Sequence, residues 1–349
     1  MVIVGIDAHK RTHTAVAIDA AGRKLGEKTT RMTTTEANLE LLRWADEFGP
    51  ERRFAVEDCR HLSRRLEADL LAAGEELVRV PPKMMAHARD AARTYGKSDP
   101  IDALAVARAA VREPDLPLAR LDGPARDLRL LVDHREDLVR DRVSHINRLR
   151  WHLHELDPSW DPTPRALVRF KHLDATLTRL DGLEGTVAVV ARDLVGRIRE
   201  LTVAANDLQR RIAEAVERIA PTLLGLAGVG VLSAAKIVAE TADVRRFRSK
   251  DCFARHNGTA PLPVWSGNHP RHRLSRTGNR QLNAAIHRIA ITQMRIHDGA
   301  KAYLERRITM GNTKTEALRA LKRRLSDVVF RALLVDAETA AEARFGEAA

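Results

Sequence analysis

Four carboxylates in this 349-residue chain stand where metal-dependent chemistry would need them: Asp7 in VIVGIDAHK, Glu57 in RFAVEDC, and Asp99 and Asp102 in KSDPIDALA. Asp7 and Glu57 each follow a short apolar run of the kind that makes a buried β-strand. Asp99 and Asp102 open a helical segment, where i and i+3 side chains share a face. Acids at the ends of strands converge on one point and repel one another unless divalent cations neutralise them, and oxygen donors of this kind suit Mg²⁺ or Mn²⁺. Two such ions, about 3.5–4 Å apart, are a common arrangement for breaking and remaking phosphodiester bonds. Plainer readings exist for single residues. Asp7 could be a polar strand end, and Asp99 could be an N-cap ahead of Pro100, which suits the first helical position. Neither supplies the ordered ensemble of strand-Asp, strand-Glu and Asp-x-x-Asp, so the metal site is the reading carried forward.

A second constellation lies in APLPVWSGNHPRHRLSRTGNRQLNAAIHR, residues 260 to 288, which reads as irregular at its start and carries Arg271, Arg273, Arg276 and Arg280. Ser266 precedes Gly267 in a segment unsuited to a helix, so its hydroxyl could be presented on a loop to a phosphate flanked by arginines. A serine hydroxyl is protonated at neutral pH and needs such help to act as a nucleophile. Taken from the residues alone, Ser266 is a turn serine in a nucleic-acid-contacting loop. Ser275 competes with it as an N-cap or phosphate contact ahead of a helix from Asn279.

The elements that must position these groups are legible as runs and breaks. Val2 to Asp7, Thr14 to Asp19 and Lys24 to Thr30 read as strands, the last two joined by a turn on Ala21-Gly22. Helix from Thr35 to Phe48, strand from Arg53 to Glu57, helix from Leu62 to Ala73 and strand from Glu76 to Val80 follow, then helical pieces around 83 to 93 and 100 to 112. Strands first, then alternating helix and strand, is the order of a ribonuclease-H-like α/β fold. From Pro124 the composition changes to long charged helices. Leu194, Leu201, Leu208 and Ala215, with Ile198, Ala205, Ile212 and Ile219, make an alternating 4-3 seam, a coiled-coil signature that an antiparallel partner from 125 to 156 in the same chain would also satisfy. Beyond Pro221 the segment LLGLAGVGVLSAAKIVAETADVRRF resembles a helix-hairpin-helix, with Gly228 and Gly230 in a turn able to offer backbone N–H groups to a phosphate.

Charge points to a polyanionic partner. The formal net charge is +12, and residues 245 to 327 carry 19 Lys and Arg against 5 Asp and Glu, so the excess is confined to the C-terminal part. Cys59 and Cys252 are far apart with no Cys/His cluster, which argues against zinc and against a disulfide framework. There is no basic-then-apolar leader and no apolar run of membrane-spanning length, so the expectation is a soluble cytoplasmic protein.

GIDAHK, AVEDC and KSDPIDA, followed by the coiled-coil stretch, the GLAGVG hairpin and WSG...SRTGNRQLNAAI, resemble the DEDD transposases of insertion sequences, relatives of the Piv DNA invertase. The resemblance spans essentially the whole chain. It implies a Holliday-junction-resolvase-like domain at 1–115 whose four acids, Asp7, Glu57, Asp99 and Asp102, bind metal. It also implies a helical coiled-coil and oligomerisation region at 116–220 and a basic, mainly helical transposase domain at 221–349. The family's C-terminal nucleophilic serine, which precedes a glycine, matches Ser266. Double-stranded DNA and a structured guide RNA are the partners implied, and the heptad seam adds further copies of the chain, as a dimer or a tetramer. Two rivals remain: a resolvase or ribonuclease-H-like nuclease using the acids with water as nucleophile, and a non-catalytic nucleic-acid scaffold.

Overall fold

Two apolar, buried strands, Val2–Ala8 (β1) and His13–Ile18 (β2), and a polar edge strand, Lys24–Thr30 (β3), pair antiparallel in chain order, with Asp7 of β1 opposite Thr14 of β2. The β2–β3 turn is closed as the sequence suggests. Gly22 takes a φ of 78°, open mainly to glycine, and Asp19 Oδ1 accepts the N–H groups of Ala21 and Arg23 at 2.9 and 2.8 Å. Arg52–Glu57 (β4) then adds parallel to the other edge of β1, and Leu77–Val80 (β5) parallel to β4. Helices Thr35–Asp46 (α1) and Arg64–Ala72 (α2) make the crossovers. The resulting order β3-β2-β1-β4-β5, a three-stranded antiparallel meander extended by two parallel strands, is ribonuclease-H-like. This computed structural model describes all residues except 59–61, 83, 86–97, 117, 120–122, 164, 267–268, 274–277 and 348–349, and of 264–266, 269–273 and 343–347 it describes the backbone alone. The helical piece expected around 83 to 93 therefore lies largely outside the described residues.

Strand alternation sends odd and even positions to opposite faces. Val4, Ile6, Ala8, Phe54 and Val56 pack with Leu41 and Leu42 of α1 and Leu66 and Leu70 of α2. Ile3, Val16, Ile18 and Ala55 pack on the other face with Ala103, Val106, Ala107 and Ala110 of helix Asp99–Arg112 (α3). Gly5 sets how closely α3 can lie on that face. A Cβ there would fall 2.4 Å from the Ala103 carbonyl oxygen and 2.4 Å from the Ala107 backbone nitrogen. Because both obstacles are backbone atoms, Gly5→Ala can be accommodated only by lifting the helix. We expect Gly5→Ala to destabilise this unit by about 3 kcal/mol, at the upper end of overpacking costs, read as a lower urea midpoint with unchanged slope. Small residues at 103, 107 and 110 on the facing helix are the other half of the same close approach.

Two compact units divide the chain, Met1–Leu121 with Arg246–Arg248 in one and Asp122–Arg245 with Ser249–Ala349 in the other. In the second, helix Gly123–Leu156 (α4) lies along helix Thr186–Ile219 (α6), with a short helix Phe170–Asp181 (α5) in the connection. Arg135 donates to Gln209 at 2.7 Å and Arg142 to Thr202 at 3.4 Å, so the numbers run in opposite senses and the pair is antiparallel. In one half of the heptad seam Ile198, Ala205 and Ile212 are buried and Ile219 is partly covered. The other half is shared: Leu194 and Leu208 are buried, while Leu201 and Ala215 are only partly covered, and Val195, Thr202 and Val216 complete the buried stripe. A stripe this wide belongs to a helix packed within the chain. One end of the pair is closed by Leu149, Leu153, Trp160, Leu167 and Leu173, with the Arg179 guanidinium 4.1 Å from the Trp160 ring centre.

Helices Pro221–Leu224 (α7), Val231–Thr241 (α8), Lys250–His256 (α9), Arg280–Ile296 (α10), Asp298–Thr309 (α11) and Lys314–Glu347 (α12) make up the rest of this unit. Between α9 and α10 the structure departs from the sequence expectation of an irregular loop. Leu262–Ser266 (β6) and His269–Arg273 (β7) pair antiparallel, Leu262 opposite Arg273 and Ser266 opposite His269. Pro261, Pro263, Gly267 and Pro270 hide the strand pattern. Proline is tolerated here because each strand of a two-stranded ribbon has one edge without a neighbour to bond. Asn279 is the N-cap of α10, its side chain accepting the Leu282 N–H, while Ser275 lies outside the described residues.

Candidate active site

Register brings the first two acids together. Ile6 of β1 pairs with Val56 of the parallel strand β4, so the next residues along the two strands are Asp7 and Glu57, on chains about 4.8 Å apart. Both are odd-numbered and face the α3 side of the sheet, with Gly5 and Ala55 one step behind them. Asp7 is 4 % exposed and Glu57 partly exposed. The close seating of α3 on Gly5 then delivers its N-terminal turn to the same edge. Ser98, not Asp99, occupies the cap position of that helix. Asp99 and Pro100 begin the first turn, and Asp102 follows at i+3, with its N–H donating to the Ser98 carbonyl at 3.0 Å. Carboxylates in the first turn of a helix are favoured by its dipole, which offsets part of their mutual repulsion.

One residue at this edge was not singled out from the sequence. His9 follows Asp7 by two positions and therefore returns to the same face; its Nε2 lies 3.0 Å from Asp7 Oδ2 and 3.3 Å from Asp99 Oδ1. Asp7, His9 and Asp99 offer donor atoms that all fall within 4.8 Å of one another, an arrangement able to hold a metal ion. The signal available in GIDAHK was the parity of a histidine two residues past a strand-end acid.

Electrostatics mark Asp7 as the strained member. Burial pushes its carboxyl above the usual value of 3.8, the nearby imidazole of His9 pulls it back, and the charges of Asp102 and Asp99 push it up again. An ionised Asp7 is thus opposed both by lost hydration and by two like charges. A divalent cation removes both penalties at once, and a donor set dominated by carboxylate oxygens suits a hard ion such as Mg²⁺ or Mn²⁺. Asp7, His9 and Asp99 fit a metal centre on these grounds; Glu57 is placed near them by strand register and Asp102 by its charge on Asp7, and neither falls within the same donor group.

In the second unit, Ser266 is the last residue of β6, and Arg271 and Arg273 lie on β7. Arg276 lies outside the described residues, and Arg280 is exposed as the first residue of α10. Gly228 and Gly230 form the turn ahead of α8, with Gly228 at φ 79° and Gly230 at the cap position without a side-chain cap. The turn is held on α10 by Gln293, whose amide donates to the Ala227 carbonyl at 2.7 Å. An open cavity of about 620 Å³ is lined there by Gly228, Gly230, Ser233, His287, Arg288 and Thr292. His287 and Arg288 were not anticipated from the sequence.

A ribonuclease-H-like sheet with acids gathered at one edge, attached to a basic helical region, is the build of a DEDD transposase. The DEDD transposase family of IS110 elements matches residues 4–158, and the family described as "Transposase IS116/IS110/IS902 family" matches residues 220–305. The insertion element IS116 44.8 kDa protein of Streptomyces clavuligerus is 31% identical over 95% of this chain and 94% of its own length. The insertion element IS900 42 kDa protein of Mycobacterium paratuberculosis is 29% identical over 94% of each. Among solved structures, Thermus thermophilus RuvC in complex with Holliday junction substrate is similar over 34% of this chain and 99% of RuvC, at 17% identity and a TM-score of 0.28. The strand order above, rather than that superposition, carries the fold assignment. The chain belongs to the IS116/IS110/IS902 family of transposases. It is accordingly a DNA-binding, DNA-recombining enzyme of an insertion sequence that works with divalent metal ions. No helix among the described residues is long and apolar enough to cross a membrane.

Proposed function

We propose that this transposase cuts and rejoins DNA at a Mg²⁺ or Mn²⁺ centre held by Asp7, Glu57, Asp99 and Asp102, with Ser266 as the nucleophile. The observation that carries the reading is the meeting of buried Asp7 with Asp99 across His9, with Asp102 near enough for its charge to raise Asp7. Bound metal would stabilise charge developing on the phosphate and the leaving oxygen. The Ser266 hydroxyl loses its proton to solvent and its oxygen forms an ester to phosphorus as the bond from phosphorus to the leaving strand oxygen breaks, that oxygen taking up a proton to become a free strand hydroxyl. The bond energy kept in that ester lets a second strand's hydroxyl rejoin without ATP, returning the proton to the serine.

Other parts take supporting roles. The segment 245 to 327, with a net charge of +14, supplies phosphate contacts through Arg271, Arg273, Arg276 and Arg280, and the Gly228–Gly230 turn binds backbone phosphate without reading sequence. A structured guide RNA from the element, suggested by the family resemblance, supplies target choice. Residues 1–115 act as the catalytic domain, 116–220 as the oligomerisation region and 221–349 as the transposase domain of a cytoplasmic homo-oligomer.

Metal exchange tests the reading directly. Nicking of a labelled duplex carrying the element's end should require Mg²⁺ or Mn²⁺ and stop with a chelator, while DNA binding persists because the basic segment provides it. Nicking that continues in chelator would sink the metal centre. Sequencing the nucleic acid that copurifies with the protein tests for the RNA, and finding only random host fragments would remove it.

A further inference from the structure

Ser266 ends one arm of a two-stranded ribbon, and such a ribbon is only marginally stable by itself in water. Its base therefore decides where the serine stands. Ser266 lies four residue steps beyond Leu262, about 14 Å of strand at about 3.4 Å per residue, so a tilt of about 5° at the base moves the end of β6 by about 1 Å. Displacement of that size is enough to cost a reaction dearly.

The base is held with unusual thoroughness. Gly258 and Gly278, on the chain entering and leaving the ribbon, touch so closely that a Cβ on Gly278 would fall 2.4 Å from the Gly258 nitrogen. On the entering side, Asn257 is fully buried. Its amide donates to Ser326 Oγ at 2.8 Å, its Oδ1 accepts the Thr259 N–H at 3.0 Å, and its carbonyl accepts from Asn283 at 2.7 Å. On the leaving side, Asn279 donates its backbone N–H to the His256 carbonyl at 2.6 Å and caps α10 through Oδ1. Its Nδ2 donates to Glu240 Oε2 at 2.6 Å, and Glu240, 5 % exposed, faces the Arg129 guanidinium at 3.5 Å. Capping a helix needs only Oδ1. A buried carboxylate from another helix, itself costly to desolvate, is a large addition for a cap alone.

We infer that Glu240 and Asn279 are positioning residues for Ser266, locking the base of the β6–β7 ribbon so that its tip presents the serine in one place. The inference rests on Ser266 being the nucleophile proposed above. Asn279→Ser keeps a good capping oxygen but is too short to reach Glu240. Glu240→Leu removes the acceptor, and Glu240→Gln retains one.

The test uses the full-length protein with Mg²⁺ and a labelled duplex carrying the element's end. It reads three quantities: the single-turnover rate of covalent adduct formation, the affinity for the duplex, and the ¹⁹F line width of 5-fluorotryptophan at Trp265, assigned through Trp265→Phe. In Asn279→Ser and Glu240→Leu we expect adduct formation slowed about 100-fold, the scale of a misplacement of about 1 Å, with duplex affinity within about threefold and the Trp265 signal changed. Glu240→Gln should restore most of the rate. If Glu240→Leu fails to fold, Asn279→Ser carries the test alone. A Ser266-dependent adduct formed at the wild-type rate in Asn279→Ser, or a Trp265 signal identical to wild type, overturns the positioning role. A wild-type protein that never forms an adduct instead removes Ser266 as nucleophile, and this role with it.

Discussion

Asp7→Asn is expected to lower strand cleavage by about three orders of magnitude, the scale of removing a group that stabilises transition-state charge, while the metal-free variant melts above the metal-free wild type. Both effects have one origin. Burial first, and then Asp102 and Asp99, hold the Asp7 carboxyl above its usual value, with His9 opposing them. The sign follows from proton binding. Between the ordinary carboxylate value and the raised folded value, the folded chain holds the Asp7 proton more tightly than the unfolded chain does. Stability of the metal-free protein therefore falls as pH rises through that interval, and the penalty stays in place above it. Asparagine carries no charge to penalise, so its advantage should be full at neutral pH and shrink as pH falls towards the ordinary carboxylate range. Metal-free calorimetry at several pH values, beside a cleavage assay, measures both. Wild-type cleavage in the variant would remove the proposed centre. A variant that melts lower at neutral pH would show that His9 outweighs burial and the neighbouring acids. Asp102→Asn should lose cleavage similarly, because Asp102 is buried at 8 % exposure beside the same edge.

The acids were legible because each sits at a boundary that sequence marks well. VIVGID and RFAVE are apolar runs ended by a carboxylate, and DPID carries proline at a helix start. What the sequence could not give is the approach of the elements that carry them. The convergence of Asp7 with Asp99 depends on an α-helix lying directly on the backbone of Gly5, which is a property of Gly5, Ala103 and Ala107 together. A glycine inside GIDAHK has no such meaning until its partner helix is known. His9 escaped for a related reason, since a single histidine gains significance only when two carboxylates from different elements face it. The heptad seam shows the opposite case. Its Ile198, Ala205 and Ile212 are buried, but Thr202, Val195 and Val216 share the stripe, because a straight helix drifts about 20° per heptad from a strict seven-residue repeat and the drift accumulates along this 34-residue helix. Leu201, Ala215 and Ile219 are the partly covered seam positions, and self-association through the 116–220 region remains part of the proposal.

Ser266→Ala is expected to abolish the covalent protein–DNA adduct and recombination together, leaving the metal centre and most DNA affinity in place. The ribbon gives the substitution a clean interpretation. Ser266 ends β6 opposite His269, so losing its hydroxyl removes no ladder hydrogen bond, and the backbone pairing from Leu262 to Ser266 should persist. Ser275→Ala is the control, expected to weaken binding mildly if the hydroxyl meets a phosphate and otherwise to change little, because the cap of α10 is Asn279. A denaturing gel with labelled DNA carrying the cleavage site, run for wild type and both variants, reads the result. If wild type nicks DNA without any adduct, water is the nucleophile and the acids work as in a resolvase. If the adduct survives Ser266→Ala and disappears with Ser275→Ala, the nucleophile lies nine residues further along, beyond the end of β7, and the ribbon's role is to hold DNA instead of cutting it.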